Sequence, residues 1–185
     1  MILISSFLWI KNNQTIKVEE VADDYVIYEN SGGEYKMMIP KNWSIDEASG
    51  SGVFSTRVVF RPTENSKKIG NLAELSVTVV PATSTGSAFS TQAEFDEWIA
   101  KPDSAATMDG MFKIKNETIS GKPGVRISEL ASVEEKNTKF WSSTSWLRID
   151  GNNYYINMLG NGPGDFAEES SFAWLLSKFE VLPTN

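Results

Sequence analysis

The chain has 185 residues with a formal net charge of -7, and it contains neither histidine nor cysteine. A chain of this length buries roughly 70% of its unfolded surface, which suits one self-sufficient domain, and the negative balance excludes a general nucleic-acid binder, whose affinity needs clustered Lys and Arg facing phosphates. Without imidazole or thiolate, disulfides, zinc and haem ligation, catalytic triads and the usual proton shuttle of neutral pH all drop out.

The stretch Met1-Ile2-Leu3-Ile4-Ser5-Ser6-Phe7-Leu8-Trp9-Ile10 is strongly apolar and stops at Lys11. Roughly 20 apolar residues span a bilayer and a secretory leader opens with positive charge, so the segment as it stands is too short to cross. It reads either as the trailing half of a signal anchor, with Trp9 and Lys11 at the membrane interface, or as an N-terminal strand or helix docked on the core. Glu19, Glu20, Asp23 and Asp24 follow like an acidic spacer and favour the anchor. The expected division is 1–24, apolar segment and spacer, and 25–185, a folded domain.

From Tyr25 the pattern turns regular. Residues 26–28, then Asn30-Ser31-Gly32-Gly33, then residues 35–39 read as strand, turn, strand, since paired glycines supply positive φ. Pro40 lacks a ladder donor and should close that strand, with Trp43 folding back over the sheet edge as a lid on the core. Phe54, Thr56, Val58 and Phe60 alternate with Arg57 and Arg61 as far as Pro62; Ala73, Leu75, Val77 and Val79 alternate with Glu74, Ser76 and Thr78 as far as Pro81. Both runs predict half-buried antiparallel strands. The basic residues from Lys36 to Lys68 are interleaved with Glu34, Asp46, Glu47 and Glu64 and read as solvated strand edges, not a polyanion site.

Thr91 and Glu94 have capping-box spacing, which predicts a helix carrying Phe95, Trp98 and Ile99 on one face and ending near Pro102. Phe112 and Ile114 alternate with Lys113 and Lys115 in a further strand, and residues 125–131 supply another after a turn at Ser120-Gly121-Lys122-Pro123-Gly124. Asp165 with Glu168 repeats the capping arrangement ahead of a last helix, whose stripe is Phe172, Leu175, Leu176 and Phe179.

Between those two segments lies a hairpin over about 140–160, turning at Asp150-Gly151-Asn152. Whether its loop is Asp150-Gly151 or Gly151-Asn152, odd positions before the turn share a face with even positions after it. Leu147, Ile149, Tyr154, Ile156 and Met158 are therefore assigned to the core. Trp146, Arg148, Tyr155 and Asn157 form the opposite face, where the Arg148 guanidinium can lie over Tyr155. Left open, that face is a candidate partner surface; covered by a helix, it is a second core.

Catalytic chemistry has little support. The adjacent carboxylates Glu19-Glu20, Asp23-Asp24, Asp96-Glu97, Glu134-Glu135 and Glu168-Glu169 point apart on any strand or helix. There is no Ser-x-x-Lys and no Gly-x-Ser-x-Gly. Gly160-Asn161-Gly162-Pro163-Gly164 lacks the Gly-Lys-Ser/Thr ending of a phosphate loop, and Asp150-Gly151-Asn152-Asn153 lacks the spacing of a calcium loop. No catalytic, cofactor-binding or metal-binding residue is assigned, and no cofactor is expected.

The order of these pieces carries a resemblance. The strand ending Ile39-Pro40 with Trp43, Val58-Val59-Phe60-Arg61-Pro62, Leu75-Ser76-Val77-Thr78-Val79, the Glu94-Phe95 helix, Ile119-Ser120-Gly121, Tyr154-Tyr155-Ile156 and the closing helix from Phe172 together resemble the PsbP family, over about residues 28–182. That family takes its name from an extrinsic subunit of photosystem II, includes exported bacterial relatives, and shares its fold with nuclear Ran-binding proteins. The resemblance implies an α+β fold, an antiparallel twisted sheet flanked by helices in an α/β/α sandwich. It also implies a non-enzymatic domain that binds or stabilises a protein partner in an envelope or membrane complex outside the cytoplasm, touching the membrane only through an N-terminal anchor. No imidazole-based metal contact carries over, and no extended basic N-terminal region matches the photosynthetic members, so non-photosynthetic bacterial relatives are the closer comparison. The rival readings are a small-ligand carrier using a cleft between sheet and helix, a small carboxylate-based hydrolase and, for location, the cytoplasm.

Overall fold

The computed structural model describes residues 6–11, 14–22, 24–30, 32, 34–49, 56–69, 72–84, 87, 89–101, 107–108, 111–129, 140–161 and 169–183. Its strands form two antiparallel sheets. The smaller, in spatial order, holds β1 (Ser6–Lys11), β2 (Gln14–Ala22), β3 (Tyr25–Glu29), β4 (Tyr35–Pro40) and β13 (Phe179–Val181). The larger runs β5 (Ser44–Ser49), β6 (Thr56–Arg61), β7 (Leu72–Pro81), β12 (Asn152–Asn161), β11 (Phe140–Ile149), β10 (Lys122–Glu129), β9 (Met111–Ile119) and β8 (Thr107–Met108). Helices α1 (Gln92–Ala100) and α2 (Glu169–Ser177) complete the α+β fold. The class is the one expected, but the strands that were expected to form one sheet divide into two.

The division falls at Pro40. In β4 the side chains of Tyr35, Met37 and Ile39 turn inward and are buried, and the proline ends the ladder as anticipated. Asn42 then adopts φ 63°, a left-handed conformation that asparagine tolerates better than most residues. Trp43 drops into the core, its Nε1 donating to Lys67 O at 2.8 Å, and the chain leaves for the other sheet as β5.

Two cores result, one on each face of the larger sheet. On the inner face Val58, Phe60, Leu75, Val77, Val79, Leu147, Tyr154, Ile156 and Met158 pack against Tyr28, Tyr35, Met37 and Ile39 of the smaller sheet, closed by Leu175 and Leu176 of α2 and by Phe179. On the outer face Val125, Ile127 and Trp146 meet Phe89 and, from α1, Phe95 and Trp98. The capping box that starts α1 is formed: Thr91 Oγ1 accepts from Glu94 N at 3.2 Å, and Glu94 Oε2 accepts from Thr91 N at 3.2 Å.

Hairpin β11–β12 turns through Asp150 at φ 49° and Gly151 at φ 79°, with Ile149 opposite Asn152. These are the two left-handed residues of a tight turn, and the inner face they dictate is the one expected, with Ile149 packed at its edge. Hairpin β9–β10 uses the same device at Ser120 (φ 52°) and Gly121 (φ 70°). This turn is shorter than expected, so Pro123 and Gly124 belong to β10. Pro123, one pair beyond the turn, directs its missing N–H away from β9 and past the last pairing with β11 at Gly124 and Leu147, so no ladder bond is lost.

One further expectation is corrected, and the described N-terminal residues are placed in the smaller sheet. Phe179 does not extend the α2 stripe: the helix ends at Ser177, and Phe179 pairs across from Met37 in the smaller sheet. An apolar residue four positions after Leu175 satisfies a helical stripe and a returning strand equally, so the pattern did not discriminate. Residues 6–11 form a strand paired with β2, and β2 pairs with β3 through Ala22 and Tyr25, so the sheet runs on past 24/25 and Glu19 and Glu20 lie in a strand. Among the described residues no helix is long and apolar enough to cross a membrane. The expected helix start at Asp165 and Glu168, Pro102, and the strand ends at Phe54 and Ala131 lie outside the described residues.

Gly124 measures how closely the strands pack. A Cβ there would lie 2.7 Å from Ile119 Cδ1 and 3.0 Å from the Trp146 carbonyl oxygen. Gly124→Ala is expected to cost about 1–3 kcal/mol through overpacking, read as a lowered urea midpoint with an unchanged m-value.

Candidate interaction face

The face carrying Trp146, Arg148, Tyr155 and Asn157 is covered over much of its extent. Trp98 of α1 stacks on Trp146 with ring centroids 5.7 Å apart and planes at 25°, and Phe89 meets the same indole edge-on at 5.4 Å. Trp146 is left 5% exposed and Arg148 8%. As an open partner surface these two residues are therefore corrected, because α1 and the segment before it pack on them. Tyr155 and Asn157 remain half-buried: Tyr155 stands edge-on to Trp146 at 5.3 Å, and Asn157 Nδ2 donates to Thr144 Oγ1 at 2.7 Å.

Arg148 acts as a lash. Its Nη1 donates to Phe89 O at 2.9 Å and Asn153 Oδ1 at 3.1 Å, and its Nη2 to Ser90 O at 3.1 Å. Asn153 Nδ2 in turn donates to Phe89 O at 3.0 Å. A buried charge is thus met by carbonyl dipoles that fix the approach to α1. Arg148→Met should lower stability by about 1.5–3 kcal/mol, the scale of hydrogen bonds to a charged group, and amide exchange should accelerate in residues 89–100 before it does in β7.

Among the described residues, β6 and β7 continue the same sheet face with Arg57 and Arg61 exposed, Glu74 and Thr78 half-buried, and Val59, Ser76 and Val80 buried. Cross-strand register sets Arg57 opposite Thr78, which is opposite Tyr155, and one pair beyond Phe60 and Leu75 come Arg61 and Glu74. Arg61 reaches Glu74 Oε2 from Nε at 3.0 Å and Nη2 at 2.9 Å, and Arg57 Nη2 lies 4.0 Å from Glu74 Oε1. Both guanidiniums are about half exposed, at 50% and 47%, while Val59 and Ser76 in the row between are buried. Sequence reading placed Arg57 and Arg61 on the solvent side of their strand. Their meeting with Glu74 depends on the β6–β7 register, for which alternation alone gives no signal.

A third arrangement lies between the sheets. Tyr28 donates from its hydroxyl to Glu47 Oε1. Glu34 Oε2 accepts from Thr56 Oγ1 at 2.8 Å and Asn30 Nδ2 at 3.1 Å, while Asn30 Oδ1 caps the amides of Glu34 and Tyr35 at 2.7 and 3.0 Å. Among the described residues no three His, Cys, Asp or Glu side chains gather as metal ligands.

Burial raises the tyrosines here. Tyr28 is pushed well above its ordinary value by burial, then by Tyr35 and Glu47; Tyr35 by burial, then by the Glu47 and Glu34 charges; Tyr154 reaches about 12, again chiefly through burial. Unfolded tyrosine ionises near pH 10, so above that pH the unfolded chain sheds these protons first. Their contribution to stability is full below about pH 10 and is lost as pH rises toward the folded value of about 12 at Tyr154 and beyond it for the other two. The urea midpoint should fall steeply above about pH 10, with part of the tyrosinate absorbance appearing only as near-UV dichroism is lost.

No protein-family model and no curated protein matches the chain. Among solved structures it is similar to a single-residue mutant of protein Mog1, at 13% identity over 87% of this chain and 97% of that one, with a TM-score of 0.48. The Saccharomyces cerevisiae Ran-binding protein Mog1p is 12% identical over 86% and 96%, TM-score 0.48, and the cyanobacterial PsbP of Synechocystis sp. PCC 6803 is 16% identical over 87% and 94%, TM-score 0.46. At these values the likeness transfers no functional residue and no partner.

Proposed function

We propose that the chain is a non-enzymatic contact domain that binds or stabilises a protein assembly through the Arg57 and Arg61 stretch of the larger sheet. The Arg57, Glu74 and Arg61 arrangement carries this reading. Glu74 Oε2 accepts from both Nε and Nη2 of Arg61 while Oε1 faces Arg57, so the side chains lose less freedom on docking, and arginine is among the residues that contribute most at protein interfaces. Tyr155 and Asn157 form the inner rim of the surface, where it meets the part sealed by α1.

The partner assembly belongs to the envelope or its membranes, and the domain works outside the cytoplasm. The order of PsbP-like motifs along the sequence supports that location.

The test is photo-crosslinking in the source organism from a probe at Thr78, directly across from Arg57. A defined partner should be recovered with the native chain and with a Glu180→Lys control on the far sheet. It should be lost with Arg57→Glu/Arg61→Glu, whose melting temperature should be close to native. Equal recovery with the double variant would remove this face from the account.

A further inference from the structure

The two sheets end out of step on one side. Tyr28 of β3 reaches Glu47 of β5 through its hydroxyl and meets the Phe60 ring of β6 at 5.0 Å, while Phe179 of β13 meets the Tyr154 ring of β12 at 6.2 Å. β3 therefore lies over β5 and β6, and β13 over β12. Strand order then carries β2 and β1 beyond β5, the last strand of the larger sheet, by two strand spacings of roughly 4.8 Å each. Among the described residues β5 pairs only with β6, so its six residues present a row of backbone donors and acceptors with no ladder, beside a two-strand overhang. Two other edges are spoken for or too short: on β13 the amide of Val181 donates to Ser120 Oγ at 3.0 Å, and β8 has two residues.

We propose that the edge of β5 and the overhang of β2 and β1 form a slot for a β-hairpin of a partner protein. One strand of that hairpin completes the β5 ladder by strand addition. The other brings the larger sheet level with β1, because two added strands are about as wide as the overhang. A second copy of this chain does not fit. Pairing β5 with β5 about a two-fold axis would drive each overhang onto β5 and β6 of the other copy, which β3 already covers. It would also set Asp46 and Glu47 of the two copies against each other, and like charges across a ladder are unfavourable.

The two faces of the slot define the hairpin. Asp46 stands exposed on the outer side of β5, across from Val59, and is complemented by a basic side chain on the added strand. On the inner side the Tyr28 row passes in register through Val18 to Phe7, an apolar series that is matched by apolar residues. The slot lies at the edge of the sheet, apart from the Arg57 and Arg61 surface, so it does not rest on that surface being used.

The experiment adds a synthetic hairpin, closed by an Asn-Gly turn with valines on one face and lysines on the other, to the full chain and follows its backbone amides by nuclear magnetic resonance. The controls are the same hairpin N-methylated on its outward amides, which cannot extend a ladder, and a hairpin with glutamates in place of the lysines. Saturable shifts are expected in β5, β2 and β1 with the lysine hairpin alone. Exchange of those β5 amides that do not bond to β6 should slow at least tenfold. Asp46→Lys changes an exposed side chain and should keep the native melting temperature, while weakening the lysine hairpin at least tenfold and binding the glutamate hairpin instead. No saturable binding, binding that survives N-methylation, or a variant that still prefers the lysine hairpin overturns the proposal. A concentration-dependent dimer that protects the same β5 amides assigns the edge to a second copy and overturns it equally. Failure of the hairpin with crosslinking through Thr78 intact sinks this inference and leaves the arginine surface standing; the converse result removes that surface and leaves the slot.

Discussion

The β11–β12 hairpin is buried on both faces, and that double burial constrains the rest of the molecule. Asp150 and Gly151 fix the register, so Leu147, Tyr154, Ile156 and Met158 enter the inner core while Trp146 enters the outer one. A slip of one residue would exchange the two sets. At roughly 1.5–3 kcal/mol for each large apolar side chain moved out of its core, such a slip exceeds what a domain of this size has in reserve.

The surfaces follow from how each core is closed. The inner core is sealed by a second sheet that exists because Pro40 and Asn42 redirect the chain, and by α2. The outer core is sealed by one helix held down by Arg148, and α1 reaches only part of the sheet. Among the described residues, what stands exposed beyond it is the pair Arg57 and Arg61 on β6, held beside Glu74 of β7. The proposed contact surface therefore lies where the covering helix stops.

Much of the fold was legible in the sequence because period-two alternation and two-residue turns act locally. Leu75, Val77 and Val79 lie on the face they were given, the Thr91 and Glu94 capping box is present, and the hairpin parity decides its core side chains. The missed elements depend on distant partners. Phe179 is a strand residue only because β4 is there to pair with it, and residues 6–11 have an apolar pattern that fits a docked strand as well as an anchor. For the candidate site, alternation put Trp146 and Arg148 on the right face, but whether α1 would reach over that face is a question of packing across more than fifty residues of sequence. The meeting of Glu74 with Arg61, and of Glu47 with Tyr28, rests on cross-strand and cross-sheet register that no local pattern encodes.

The most direct measurement of the two-faced hairpin is a set of side-chain nuclear Overhauser effects in solution. The account predicts contacts from the Trp146 ring to Trp98 together with contacts joining Ile156 to the apolar side chains of β4 and β7. A Trp146 ring free of α1, or Ile156 on the same side as Trp98, would contradict it.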